Sequence, residues 1–474
     1  MDCRVEPGDD KLRMTGRRRL AWILASAVMM PALLWPALWN GFPIVFYDTG
    51  GYFDSAMSGL LANGRSALYG AFLRLGIPSA FWGNIVVQAG VVAWLLVLSL
   101  RVHHLGGRPS LALAITLALA ALTSLPWYVA QLMPDVWLPA GVLALYLLAF
   151  RARVLRQWEQ ITLGVVVAFA IAGHMATLAV MAGLLVPLAL WPAFARRWQW
   201  PSPVLRRPAL AVAAGVLLIL LSNLAITGRF AFIPGGPNFL FGRLVHTGIA
   251  ARYLAEHCPD PSLRLCAYRD TLPTEGDTWL WDAESPLWKL GGWEEFEPEA
   301  RRILLASLRA YPADHLRVAI RAALLQFVLV ETGDYITPWT WHTHGMLEKH
   351  TPEIYPTFLA ARQQKAGFDF TWINVVHVPV ALASIAGLPL VVVLARRRRV
   401  RKSAAAFALT VFIALLGNAV ICGALSNPHS RYQSRLVWLA PLALIIAAGS
   451  RRRSAALHDS SYFRRKPGVT PPST

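Results

Sequence analysis

Charged residues are scarce in this chain. They make up 15% of its 474 residues, while 56% are hydrophobic; an ordinary soluble domain is about 25% charged. So few charges cannot cover a water-exposed surface of that size. The same numbers exclude a disordered chain and a coiled coil. Acids are scarcer still: 26 Asp and Glu stand against 45 Lys and Arg, a formal charge of +19. No internal repeat of the solenoid kind is present.

What the chain does contain is a series of apolar runs. A helix crossing about 30 Å of hydrocarbon needs about 20 mostly apolar residues. Runs at 20–39, 82–102, 111–130, 136–150, 161–194, 209–226, 373–395, 404–425 and 436–450 approach or meet this length. The run at 161–194 exceeds one crossing, and Gly173-His174 divides it into two short helices. The first run follows Arg17, Arg18 and Arg19. It is too long for a signal-peptide core and no cleavage site follows it, so it reads as a helix. The expectation is an all-α polytopic membrane protein with about ten transmembrane helices. A large segment of mixed helix and loop, 228–372, lies between the seventh and eighth spans.

The distribution of charge gives an orientation. Placing the N-terminus in the cytoplasm puts 27 basic residues and six acids on the inner side, including Arg396 to Lys402 and Arg451 to Arg453. Basic residues concentrate on cytoplasmic loops, and every alternate loop obeys this. The excess charge is therefore a topology signal, reinforced by anionic membrane lipids, and nucleic acid is not needed to explain it. The reading divides the chain into a cytoplasmic tail at 1–19, a membrane domain at 20–227 with an outer loop at 41–80, an outer segment at 228–372, a second membrane part at 373–450 and a cytoplasmic tail at 451–474.

The outer segment carries 14 basic and 17 acidic residues, far too polar for lipid. The stretch 311–330 within it has helical apolar spacing interrupted by Arg317 and Arg321, which reads as an interfacial helix or an extra span. Cys258 and Cys266 fall in the same segment and form a candidate disulfide in an oxidising compartment. Cys3 and Cys422 read as unpaired thiols.

Beyond that segment the outer face holds only three acids, Asp48, Asp54 and Asp135. A carboxylate at the membrane edge is costly, so each is a functional candidate by default. Asp48 follows the first span, and Pro43 and Gly50-Gly51 around it argue against a simple helical continuation. Asp135 sits in a turn bracketed by Pro134 and Pro139. Each acid also reads as a helix N-cap or turn residue. Arg431 and Arg435 head the last span, flanking Tyr432. At i and i+4 they share a face if the stretch is helical, and arginine's fork of donors suits phosphate; snorkelling to headgroups is the competing reading. His174 reads either as a phosphate contact or as a packing residue. His342 and His344 have metal-ligand spacing only on an extended strand.

An acidic motif after the first helix, a second acid after the third and an Arg-Tyr motif heading the last together resemble the GT-C superfamily of polytopic membrane glycosyltransferases. The resemblance covers the membrane scaffold, about two thirds of the chain. It implies a sugar transferred, with inversion, from a polyprenyl-phosphate-linked donor to a lipid, glycan or protein acceptor on the periplasmic face of a bacterial inner membrane. Asp48 carries over as general base in the catalytic outer loop and Asp135 as the second acid. Arg431 carries over as the donor-phosphate ligand, with Arg435, Tyr432 and His174 beside it. The chain departs from the family in lacking a paired Asp-Glu in the first loop and an acid next to Asp135, so a divalent metal, Mg2+ or Mn2+, is left open. The large late segment matches no subfamily. A reading from another class is a multi-pass transporter or flippase in which Asp48 and Asp135 couple to protons or substrate; the matching broken-helix repeats of such proteins are not evident.

Overall fold

The computed structural model describes residues 16–232 and 234–450. Cys3, the first 15 residues of the expected N-terminal tail and the whole C-terminal tail lie outside them. All regular structure among the described residues is helical, apart from one isolated β-bridge pairing Ile44 with Gln131.

The first part of the chain forms α1 (Gly16–Asn40), α2 (Tyr47–Ser58), α3 (Ala67–Leu75), α4 (Trp82–Val102), α5 (Pro109–Leu122), α6 (Leu125–Val129), α7 (Trp137–Phe150), α8 (Gln157–Gly173), α9 (Met175–Trp198) and α10 (Arg206–Thr227). Between α10 and the last membrane-type helices come α11 (Gly236–His246), α12 (Ile249–His257), α13 (Gly276–Trp281), α14 (Pro286–Lys289), α15 (Gly292–Ala310), α16 (Pro312–Val328), α17 (Trp341–His350), α18 (Tyr355–Ala360) and α19 (Arg362–Lys365). The chain then runs through α20 (Thr371–Arg396), α21 (Lys402–Leu425), α22 (Ser430–Val437) and α23 (Leu439–Gly449).

Among the described residues, seven stretches are long and apolar enough to cross a membrane: α1, α4, Met175–Ala193 of α9, α10, α20, α21 and the continuous Ser430–Gly449 made by α22 and α23. Three shorter apolar helices, α5, α8 and the stretch Pro134–Phe150 that contains α7, coincide with the remaining expected spans. At 1.5 Å per residue, the 14 residues of α5 and the 17 of α8 extend about 21–26 Å, below the roughly 30 Å of a hydrocarbon core. Helix α7 is apolar on every side, and every residue but its last is buried, as expected of a helix enclosed by others.

Two expected boundaries hold differently in space. The run 161–194 breaks where expected: His174 is extended (φ −159°, ψ 125°) and separates α8 from α9. The run 111–130 is not one helix. It stops after Leu122, where the Thr123 hydroxyl donates back to Leu119 O at 2.5 Å and the buried Ser124 hydroxyl donates across the fold to Ser434 O at 2.6 Å. Pro126 then opens the short α6. Local hydroxyl bonds compete here with helix continuation.

The glycine pair after Asp48 also corrects the sequence reading. Gly50-Gly51 lies inside α2 rather than interrupting it. A Cβ on Gly50 would lie 2.7 Å from Thr343 Cα. Gly50 thus admits this chain's own α17, and Gly51 faces the Arg65 side chain. Thr343 fixes that contact by accepting from Gly50 N–H at 3.0 Å and donating to Phe46 O at 2.7 Å.

Within the segment 228–372, residues 239–318 have a core of their own, in which Phe241, Trp279 and Phe296 are fully buried with ring centres 5.0–5.2 Å apart, tilted or edge to face. Val330, Leu347 and Phe358 pack instead into the core of the membrane-type helices. Cys258 and Cys266 are disulfide-bonded within 239–318. His342 and His344 stand on α17, not on an extended strand, and His344 is occupied by Gln364 Oε1 at 2.9 Å. The stretch 311–330 is helical as α16, which lies along α21: a Cβ on Gly423 would approach Ala322 O to 2.7 Å.

Candidate functional site

The two acid-bearing loops are joined by their backbones. Ile44 N–H donates to Ala130 O at 3.0 Å, and Leu132 N–H donates to Ile44 O at 2.8 Å. Five residues after Ile44, Thr49 adds a side-chain tie: its hydroxyl accepts from Phe46 N–H at 2.9 Å and donates to Leu132 O at 3.1 Å. Gln363 from α19 braces the first loop, exchanging bonds with both the N–H and the carbonyl of Val45 at 3.2 and 3.0 Å. These contacts set Asp48, in the first turn of α2, beside Asp135, in the short helical turn Pro134–Val136.

The arginines arrive from the other end of the chain. Arg431 and Arg435 lie one turn apart on α22, so both reach the same acid. Arg431 binds Asp135 through Nε at 3.1 Å and Nη2 at 2.8 Å, and Arg435 adds Nη1 at 3.0 Å. Asp135 has no exposed side-chain surface, and Arg435 has only 1%. Arg435 is further engaged by Asn418 Oδ1 at 3.5 Å. A buried charge needs such saturation, since removing it from water costs several kcal/mol otherwise.

Asp48 stands at the open side of this cluster. Arg431 Nη1 reaches it at 3.3 Å, Arg65 binds its other oxygen, and its side chain remains 24% exposed. Burial would push the Asp48 carboxyl up, but the Arg65 and Arg431 guanidiniums hold it below the usual carboxylate range. Arg431 also lies over the Phe46 ring at 4.0 Å, and its backbone N–H donates to Asp334 Oδ2 at 3.0 Å. Arg65 lies 5.4 Å from the ring centre of Trp281.

Four of the expected site residues therefore converge: Asp48, Asp135, Arg431 and Arg435. The other two are close to them in a different capacity. Tyr432 accepts from Asn418 Nδ2 through its backbone carbonyl at 2.8 Å, and its ring lies 5.3 Å from the Arg435 guanidinium. Burial pushes the His174 imidazole down to about 3, with Arg435 adding to the shift. In its neutral form, which burial favours, it offers an anion a hydrogen bond and no charge.

Two members of the site have no role in the sequence reading. Arg65 was visible only as one of four basic residues on the outer face beyond the large segment. Asp334 carried no signal among the 17 acids of that segment. Every oxygen of Asp48 and Asp135 faces a guanidinium, and no group of three or more His, Cys, Asp or Glu converges among the described residues.

Three guanidiniums face Asp48 and Asp135, and Asp334 on the Arg431 backbone N–H brings the carboxylates to three, so the formal charges balance around the partly exposed Asp48. Such a cluster can accept an anionic group and then free a carboxylate. Comparison with known protein families, with characterised proteins and with solved structures finds no match to this chain.

Proposed function

We propose that this chain is a multi-pass membrane glycosyltransferase that moves a sugar from a polyprenyl-phosphate donor to an acceptor hydroxyl. The observation that carries this reading is the convergence of Asp48, Arg65 and Arg431 at one opening, above a buried Asp135 that orients the arginine. Ten crossings, both termini in the cytoplasm and an outer segment in the periplasm of a bacterial inner membrane follow from the alternation of basic loops. The Cys258–Cys266 disulfide supports an oxidising compartment for that segment.

In this reading the donor phosphate is received by Arg65 and Arg431, the two guanidiniums that border the opening. Arg435 lies behind them and holds Asp135 instead. Asp135 acts through the arginines as a positioning residue, since its oxygens are enclosed. Arrival of the phosphate draws the guanidiniums off Asp48, and the carboxylate regains basicity as its counter-charges leave. Asp48 then takes the proton of the acceptor hydroxyl. The acceptor oxygen bonds to the anomeric carbon as the bond to the phosphate oxygen breaks, and the configuration inverts. The leaving lipid phosphate stays on the arginines, which stabilise the charge it gains. A membrane-edge site suits a donor whose tail cannot leave the bilayer.

The direct test is transfer from synthetic polyprenyl-phosphate sugars by the full-length protein in lipid nanodiscs, with Asp48→Asn alongside. The reading requires transfer by the wild type and its loss in a variant that inserts normally.

A further inference from the structure

Helix α16 carries a second, separate feature. Its Gly423 contact with Ala322 and Ala323 and the stacking of Phe327 on Phe412 at 6.1 Å show that it runs antiparallel to α21. It therefore descends along a membrane-type helix as its residue numbers rise. The charges of α16 are confined to its upper part: Asp314, Arg317 and Arg321. Below Arg321 the helix has no charged residue. Its outward face exposes Leu316, Ile320, Leu324 and Val328 at spacings of four. The first three share this exposed face with Ala313 and the two arginines.

The arginines are one turn apart and differ in their partners. Arg317 binds Asp314 Oδ1 at 3.1 Å while 77% exposed. Arg321 is exposed and has no ionic partner among the described residues. Leu324 and Val328 continue into the membrane beneath the guanidinium pair, which matches one occupant, a lipid with its phosphate at the arginines and its chains along these two residues. Arginine binds phosphate oxygens in a forked geometry that a zwitterionic surface does not saturate with net charge.

We infer that α16 holds an anionic phospholipid in the outer leaflet, its phosphate on Arg317 and Arg321 and its acyl chains on Leu324 and Val328. This site is distinct from the cluster around Asp48 and does not depend on the glycosyltransferase reading. It rests on the membrane placement of α21.

The test is native mass spectrometry of the full-length protein released from nanodiscs of phosphatidylcholine containing phosphatidylglycerol. Each basic residue near an anionic surface is worth about fivefold in occupancy. The wild type retains one more phosphatidylglycerol than Arg317→Gln/Arg321→Gln, Arg321→Gln alone weakens retention about fivefold, and Arg321→Lys largely restores it. Both arginines are exposed, and an unchanged elution profile of the variants confirms that they fold. Equal retention by wild type and double variant overturns the inference. So does equal retention of phosphatidylcholine, or displacement of the lipid by millimolar inorganic phosphate, which assigns the arginines to a soluble anion.

Discussion

Arg431 grips Asp135 with two nitrogens, Nε at 3.1 Å and Nη2 at 2.8 Å, across 296 residues of sequence. The pair ties the loop ahead of α7 to the head of the last helix. It also leaves the third nitrogen of the same guanidinium for Asp48, 3.3 Å away. One buried carboxylate thus aims an arginine at an exposed one.

Asp135→Asn removes the counter-charge of two enclosed guanidiniums. Breaking one partner of a buried pair costs about 3–5 kcal/mol. The thermal unfolding midpoint of the purified protein is therefore expected to fall sharply. Asp48→Asn, at the partly exposed end of the cluster, is expected to fall much less.

Helix α2 meets α17 at Gly50. Gly50→Ala places a methyl 2.7 Å from Thr343 Cα and 3.1 Å from His342 O, backbone atoms that leave it no room. Overpacking of this kind costs about 1–3 kcal/mol. Increased proteolysis between α16 and α17, together with lower stability, is the expected result, and Gly51→Ala, which meets a flexible Arg65 side chain at 3.3 Å, is milder.

Acid weakens the site in a defined direction. The folded-state value of Asp48 is depressed by Arg65 and Arg431 after burial is overcome. Its stabilisation is complete above the ordinary carboxylate range and is lost as pH falls through the lower folded value. Stability measured across pH is expected to show no loss from this group between about pH 7 and 5 and a decline below about pH 4. Asp48→Asn flattens that decline.

The disulfide closes a short loop of sequence separation eight. Chain-entropy arithmetic gives it about 2.5 kcal/mol. Cys258→Ser/Cys266→Ser is expected to destabilise the unit built around Trp279 and Phe296, read as faster proteolysis of 236–311, with the membrane helices still protected.

Part of this site is legible in the sequence because charge is expensive in an apolar chain. Asp48, Asp135, Arg431 and Arg435 stand out for that reason alone, and the spacing of the arginines puts both on one face once Ser430–Val437 is helical. The break at His174 is legible too, since a glycine and a polar ring interrupt an apolar run. The break after Leu122 is not: hydropathy continues through it, and the hydroxyl bond from Ser124 to Ser434 that accompanies it spans 310 residues. Nor does the sequence tell which arginine meets which acid. That depends on the Ile44–Gln131 bridge and on Gln363, contacts between distant backbones that no local pattern encodes. Arg65 joins Asp48 through the same long-range assembly, and the glycine pair reads as a helix breaker until its partner helix is present.

The central claim is that Asp48 accepts a proton during sugar transfer at the Arg65–Arg431 opening. The measurement that tests it most directly is the initial rate of sugar release from radiolabelled polyprenyl-phosphate donors by the nanodisc-embedded protein, wild type against Asp48→Asn. Loss of a general base costs about 10²–10⁴-fold, so a drop of that size with donor binding retained is the expected result. Transfer by Asp48→Asn at the wild-type rate contradicts the mechanism. A wild type that moves intact donor across the bilayer without cleaving it contradicts the enzyme reading and favours a flippase.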